Sequence, residues 1–93
     1  MGPSVKTSID TSDGSVSTSP SKVLWVLASA GSTGGAWQLV DGDTDTGDDK
    51  LSGVSPANSM EFLDFSNAPI DFNLGIFADI PGTNITLTIG YTD

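Results

Sequence analysis

The strict alternation of apolar and polar residues in two segments constrains the fold more than any other feature. In "NITLTIGYT", residues 84–92, apolar side chains recur at every second position: Ile85, Leu87, Ile89 and Tyr91. "IDFNLGIFADI", residues 70–80, follows the same period and places Phe77 on its polar face. A period of two predicts half-buried antiparallel strands, because successive side chains of a strand point to opposite faces. No segment has a helical period, so the sequence predicts an all-β protein.

A second apolar stretch predicts a strand that is covered on both faces. In "KVLWVLA", residues 22–28, one face would carry Val23, Trp25 and Leu27 and the other Leu24, Val26 and Ala28. A strand with two apolar faces is buried on both, which predicts a core on one side and a partner on the other. The glycine-rich residues 29–35 then predict a turn into "AWQLVDG", residues 36–42, so that Trp25 and Trp37 lie on the paired strands of one hairpin.

The length and the turn signals predict one small domain. The 93 residues suit a single core, and turn signals recur about every ten residues, as in small sandwiches and barrels. We expect an antiparallel β-sandwich of about six to eight strands, jelly-roll-like or immunoglobulin-like, over residues 22–93. Residues 1–21 are rich in Ser and Thr and predict an amino-terminal arm or hairpin, with a disordered polar tail as the alternative.

The charge balance and the missing residue types exclude several classes of function. The chain has a net charge of −9, three lysines and no arginine, which argues against binding to nucleic acid or to anionic membranes. It has no histidine and no cysteine, so the commonest general base and any thiolate ligand are missing. The carboxylates considered for a catalytic pair are Glu61, Asp64, Asp71 and Asp79. Asp71 and Asp79 share the polar face of one predicted strand, where solvent is their natural partner. Because the usual catalytic parts are missing, we expect neither an enzyme nor a cofactor.

The aspartate-rich segment "DGDTDTGDD", residues 41–49, raises the question of a calcium site. A helix-loop-helix calcium loop needs Gly at its sixth position and Glu at its twelfth, where this sequence has Thr46 and Ser52. A looser calcium turn has four candidate ligands: Asp41, Asp43, Asp45 and Asp48. The alternative is an exposed acidic turn bent by Asp and Gly. We favour the acidic turn and expect no metal.

The aromatic residues offer the best candidates for a binding surface. The predicted interface residues are Trp25, Leu24, Val26, Trp37 and Phe77. Aromatic side chains are enriched at subunit interfaces and can also stack on sugar rings. The alternative for Trp25 and Trp37 is that they fill the core of a small domain. Phe77 has no such alternative if it lies on the polar face of its strand.

Three segments within residues 22–93 carry a resemblance to a known group of proteins. They are "AGSTGGAWQLVDG", "FSNAPIDFNLGIFADI" and the closing "TNITLTIGYTD". In their order around the acidic loop they resemble small all-β structural proteins of tailed-bacteriophage virions, of the head decoration or cement type. The resembling motifs are structural rather than catalytic.

The resemblance implies a β-sandwich that binds the outer surface of a capsid in many copies. The implied partners are the major capsid protein and further copies of the chain, with a trimer favoured. The implied location is the virion, after assembly in the cytoplasm of a bacterial host. Two alternatives stay open: a tail or receptor-binding component, and a small carbohydrate-binding module that would stack sugars on Trp25, Trp37 or Tyr91.

Overall fold

The computed structural model describes residues 4–93 and contains nine strands in this part of the chain. They are β1 (Lys6–Asp10), β2 (Gly14–Ser17), β3 (Ser21–Ala30), β4 (Gly35–Asp41), β5 (Asp48–Ser55), β6 (Met60–Asp64), β7 (Ile70–Phe72), β8 (Ile76–Asp79) and β9 (Ile85–Thr92). No helix long and apolar enough to cross a membrane occurs within residues 4–93. The predicted all-β class is confirmed, with one strand more than the upper number expected.

The strands form two antiparallel sheets. The five-stranded sheet has the order β1-β9-β3-β6, and β7 pairs with β3; β6 and β7 pair with successive stretches of that strand. The four-stranded sheet has the order β2-β8-β4-β5. Each sheet turns one side toward a shared core, which is the arrangement of a β-sandwich.

The core consists of side chains that both sheets direct inward. Its buried members are Val23, Val26, Ala28, Trp37, Leu39, Phe72, Ile76, Ala78, Ile80, Ile85, Leu87, Ile89 and Tyr91. The alternation of β9 is reproduced, since its four apolar side chains, from Ile85 to Tyr91, are all buried. The polar atoms of the large core residues are also satisfied: Trp37 Nε1 donates to Ser55 Oγ at 3.2 Å, and the Tyr91 hydroxyl donates to the Val16 carbonyl at 3.3 Å.

The prediction that the strands of Trp25 and Trp37 pair in one hairpin is wrong. Strand β3 belongs to the five-stranded sheet and β4 to the four-stranded sheet, where β4 pairs with β5 and β8. The two strands contribute to the same core from opposite sheets, with Val26 on one and Leu39 on the other. The apolar pattern of a strand indicates which of its faces are buried, but it does not identify the strand that pairs with it.

A β-bulge in β3 also changes the predicted faces of that strand. Val23 pairs with Tyr91 and Trp25 pairs with Gly90, so Leu24 is an extra residue in the ladder. An extra residue shifts the alternation by one position. Val23 therefore points into the core together with Val26 and Ala28, and Trp25 lies on the opposite side of the sheet with Leu27.

Residues 70–80 do not form one strand, contrary to the prediction. Strand β7 joins the five-stranded sheet and β8 the four-stranded sheet, and the chain passes between them at residues 73–75. Gly75 has φ +154° and lies against the carbonyl of Ser17, where a Cβ atom would not fit. Leu74, which was predicted on the apolar face, is 68% exposed in this crossing.

The amino-terminal strands also belong to different sheets. Strand β1 pairs with β9 and β2 pairs with β8, so the turn at residues 11–13 crosses from one sheet to the other. A hairpin of these two strands was the wrong expectation. Residues 4–21 contribute to both sheets, and residues 1–3 of the predicted arm lie outside the described part of the chain.

Each tryptophan lies over a glycine of the neighbouring strand, which makes both glycines sensitive to a methyl group. A Cβ on Gly53 would lie 2.6 Å from Cζ2 of the buried Trp37. We expect Gly53→Ala to lower the free energy of unfolding by about 1–3 kcal/mol, the usual cost of overpacking. Gly90→Ala crowds Trp25 in the same way but costs less, because Trp25 lies on an open side of its sheet and can move.

Urea unfolding followed by circular dichroism measures the difference. Gly14→Ala is the matched control, since a Cβ there meets nothing within 4 Å. An equal loss of stability for Gly53→Ala and Gly14→Ala would contradict the described packing of Trp37.

Candidate functional site

The outward side of the five-stranded sheet carries a row of side chains that crosses four strands. Ile9 of β1 pairs with Thr88 of β9, Thr88 pairs with Leu27 of β3, and Leu27 pairs with Phe62 of β6. Directly paired residues lie on the same face of a sheet. The row therefore places three large apolar side chains and one threonine side by side across the sheet.

Two flanking rows complete this surface. On one side the register aligns Thr7, Gly90, Trp25 and Asp64, and on the other Thr86, Ser29 and Met60. The ring centroids of Trp25 and Phe62 are 5.8 Å apart, with the planes tilted by 36°. At this distance the two aromatic rings form one contiguous patch. The indole of Trp25 also covers the bare backbone of Gly90.

We call the five large side chains of these rows the apolar face: Ile9, Trp25, Leu27, Met60 and Phe62. Ile9, Met60 and Phe62 are 69%, 72% and 57% exposed, and Trp25 and Leu27 are half-buried. Single exposed apolar residues are ordinary, whereas the largest contiguous apolar patch of a protein is often functional. The apolar face is therefore the candidate functional site of the described chain.

The apolar face carries little charge. Within residues 4–93, its three rows contain one carboxylate, that of Asp64, which lies at a corner beside Trp25. The hydroxyl and amide of Ser66 donate to this carboxylate at 2.6 and 2.9 Å and lower the pKa of Asp64. Lys22 and Asp71, which lie beyond the row of Trp25, form an ion pair with each other.

The four-stranded sheet has the opposite character on its outward side. Burial raises the pKa of Asp79, and the negative charges of Asp13, Asp45 and Asp49 raise it further. These four carboxylates belong to β8, the turn after β1, the acidic loop at residues 42–47 and the start of β5. Like charges at this spacing repel one another, so this side is strongly acidic while the apolar face is nearly neutral.

Asp41, the first aspartate of the acidic segment, has a structural role. It is 7% exposed, and its carboxylate accepts hydrogen bonds from the backbone amides of Asn73 at 3.0 Å and Leu74 at 2.8 Å. Burial acts to raise the pKa of Asp41, but these amides, with those of Gly75 and the charge of Lys50, outweigh it and lower the pKa. Asp41 therefore fixes the crossing between β7 and β8.

The remaining loop residues do not assemble a metal site with Asp41. Within residues 4–93, no three carboxylates form a group that could hold a metal ion, so the four predicted calcium ligands are not brought together. The loop instead folds over β4, where a Cβ on Gly47 would lie 3.1 Å from Cγ1 of Val40. Val40 is fully buried under it and pairs with Phe77, which accounts for the apolar residue on the polar side of β8.

The predicted interface residues fall into four places. Only Trp25 belongs to the apolar face. Val26 and Trp37 are buried in the core, so their prediction as interface residues is wrong, and burial likewise removes Trp37 and Tyr91 as sugar-stacking residues. Leu24 is the half-buried extra residue of the bulge, and Phe77 lies half-buried on the other sheet.

Sequence reasoning missed four members of the apolar face, namely Ile9, Leu27, Met60 and Phe62. A strict alternation predicts Leu27 on the same face as Val23, and the bulge moves Leu27 to the opposite face. Met60 and Phe62 alternate in "MEFLDF", which could have signalled one exposed and one buried face. The pairing of β6 with β3, which brings Phe62 to Trp25, has no local signal.

The carboxylates considered for catalysis are separated by the fold. Asp79 lies in the four-stranded sheet, while Glu61 and Asp64 occupy opposite sides of β6. Asp71 pairs with Lys22 at the rim of a groove of about 330 Å³, which Phe72 and Thr92 also line. No two of these four carboxylates are shown in direct contact within residues 4–93.

Comparisons with known proteins do not assign the chain to a family. No protein-family model matches it, and no curated protein and no solved structure matches it significantly.

The opposite pKa shifts of Asp41 and Asp79 predict opposite effects of amide substitution. Asp41 has a lowered pKa, so its charge stabilises the fold fully above the ordinary pKa of about 3.9, and this contribution is lost as the pH falls below it. We expect Asp41→Asn to cost about 1–3 kcal/mol at pH 7, because an amide cannot accept both backbone hydrogen bonds, and to cost less near pH 3.

Asp79 has a raised pKa, so its ionised form opposes folding at pH 7 and protonation relieves the cost as the pH falls. Asp79→Asn should therefore raise the melting temperature at pH 7 and have a smaller effect in acid. Differential scanning calorimetry between pH 3 and pH 7 measures both, with the exposed Asp43→Asn as control. A stabilising Asp41→Asn at pH 7 would contradict the described hydrogen bonds.

Proposed function

We propose that the chain is a non-enzymatic structural protein of a virion, a head decoration or cement subunit that works through protein–protein contact. The observation that supports this proposal is the apolar face: five large side chains in register on the outward side of one sheet, three of them exposed and two half-buried. Protein interfaces have such a core of aromatic, methionine and aliphatic side chains with few charges. The resemblance to decoration proteins supplies the class of assembly.

The distribution of charge agrees with a subunit that is displayed in many copies. The acidic loop and the carboxylates around Asp79 lie on the four-stranded sheet, and the nearly neutral apolar face lies on the other. A net charge of −9 keeps densely placed copies soluble. One side of the sandwich is thus suited to contact and the other to solvent.

A catalytic role has less support in the described residues. The carboxylates considered for a catalytic pair lie apart, and the sequence has no histidine to act as a general base. We therefore propose that neither a substrate nor a cofactor is involved.

The proposal is tested by co-sedimentation with heads of the tailed phage whose genome encodes the chain. We expect saturable binding of the purified protein to the heads and a higher temperature of head disruption. Phe62→Asp places a charge in the apolar face and should lower the number of bound copies at least about tenfold, because a buried unpaired charge is costly. Val54→Asp is the matched control, since Val54 is 79% exposed on the other sheet.

Two outcomes would reject the proposal. One is the absence of any binding to heads at saturating protein. The other is binding to isolated tails alone, which would establish the tail or receptor-binding alternative.

Carbohydrate binding is a second candidate, favoured by one observation. Trp25 and Phe62 form an aromatic platform beside the carboxylate of Asp64, and sugar rings bind to platforms that combine an aromatic surface with hydrogen-bonding groups. This candidate uses Trp25 alone of the three aromatic residues first considered, since Trp37 and Tyr91 are buried.

A Trp37→Phe variant, in which Trp25 is the remaining tryptophan, gives a direct readout of this candidate. If the face binds sugar, titration with gluco-, manno- and chito-oligosaccharides should shift the fluorescence emission of Trp25 to shorter wavelength. Under the structural proposal we expect no shift at constant protein concentration. A saturable shift that Phe62→Ala abolishes would favour the carbohydrate-binding module.

A further inference from the structure

We infer that the apolar face is the docking site for a second copy of this chain, with the two copies packed face to face about a two-fold axis parallel to the strands. This inference rests on the proposed function and concerns the same surface in the free protein: a second copy covers the apolar face in solution, and the head displaces it on binding. It differs from the trimer that the resemblance implies, because a two-fold contact uses the same surface on both copies.

Charge selects this surface for contact between identical copies. Two chains of net charge −9 repel each other wherever carboxylates meet. Around Asp79, burial and three neighbouring negative charges already raise one pKa within a single copy. The three rows of the apolar face bring only Asp64 from each copy, so this is the side on which two copies approach with least repulsion.

The order of side chains within the central row is complementary to itself. A two-fold axis parallel to the strands reverses each row across the interface. Ile9 of one copy then faces Phe62 of the other, and the small Thr88 faces the larger Leu27. At the two inner positions a small side chain thus faces a larger one, which lets the two sheets interdigitate at the usual spacing of about 10 Å, and at the two outer positions Ile9 and Phe62 make apolar contact.

The same reversal gives a partner to the one carboxylate of the face. In the row Thr7, Gly90, Trp25 and Asp64, reversal places Asp64 of one copy opposite Thr7 of the other. A threonine hydroxyl can donate to a carboxylate. The two Asp64 carboxylates lie at opposite edges of the interface, three strand spacings or about 14 Å apart within the sheet.

The size of the face sets the strength of the pairing. Four strands at about 4.8 Å and three rows at about 7 Å, with their side chains, cover roughly 400 Å² per copy. An interface of this size belongs to the weak and transient class. The pairing is therefore expected to depend on concentration and to be complete only at high protein concentration.

Sedimentation equilibrium from roughly 10 µM to 1 mM tests the pairing. We expect the mass to rise from the 9.5 kDa of the monomer toward twice that value. Phe62→Asp and Ile9→Asp should each weaken pairing at least about tenfold, because each buries an unpaired charge. Val54→Asp should pair like the unmodified protein, and circular dichroism confirms that each variant is folded.

Cross-linking tests the orientation. The chain has no cysteine, so Ile9→Cys and Phe62→Cys introduce single reactive sites at opposite ends of the central row. Mixed in equal amounts and treated with a short bismaleimide linker, the two variants should yield mainly the mixed Ile9→Cys/Phe62→Cys product. Mass spectrometry distinguishes this product from the two pairs of identical variants.

Each contrary result overturns the inference. A monomer throughout the concentration range, a trimer, or unchanged pairing of Phe62→Asp rejects the second copy as the occupant of the apolar face. Predominant cross-links between two Ile9→Cys copies reject the axis. Since binding to heads is measured separately, a chain that stays monomeric in solution and still binds heads retains the proposed function while the inference fails.

Discussion

The carboxylate of Asp41 holds the point at which the chain passes from the five-stranded to the four-stranded sheet. It accepts the amides of Asn73 and Leu74, and the next residue, Gly42, donates to the carbonyl of Gly75 at 3.2 Å. Partly buried amides in a crossing have no partner in a sheet ladder, and leaving them unpaired would cost more than the hydrogen bonds gain. These hydrogen bonds fix the segment between β7 and β8, which places Phe72 and Ile76 in one core.

The anchored crossing also separates the two sides of the sandwich. The end of β4 and the loop that follows belong to the four-stranded sheet, and Asp45 and Asp49 lie near Asp79 there. The five-stranded sheet is left with threonines and large apolar side chains on its outward side. The contrast between an acidic and a nearly neutral side thus follows from topology, because one acidic segment is confined to one sheet.

The sequence predicted the parts of this structure that depend on local pattern. The alternation of residues 84–92 correctly places Ile85 and its apolar neighbours in a core, and it suffices for the all-β class. It could not identify pairing partners, because a period of two specifies the face of a residue and not the strand beside it. It also missed the bulge at Leu24 and the crossing at Gly75. Trp25 alone of the apolar face was predicted, since the other members become a surface only through register.

The two tryptophans show that residue type alone does not determine whether a side chain belongs to the core or to a contact surface. Both lie over a glycine of a neighbouring strand, Trp37 over Gly53 and Trp25 over Gly90. In each pair the indole covers backbone that a glycine leaves bare, which protects the ladder beneath it. Trp37 does this on the side that meets the other sheet and becomes core. Trp25 does it on the outward side, where the same arrangement leaves an aromatic surface beside Phe62. The extra residue in β3 places Trp25 on the outward side of its sheet, where it is available for contact. Trp37 lies on the inward side of the other sheet, where it stabilises the fold.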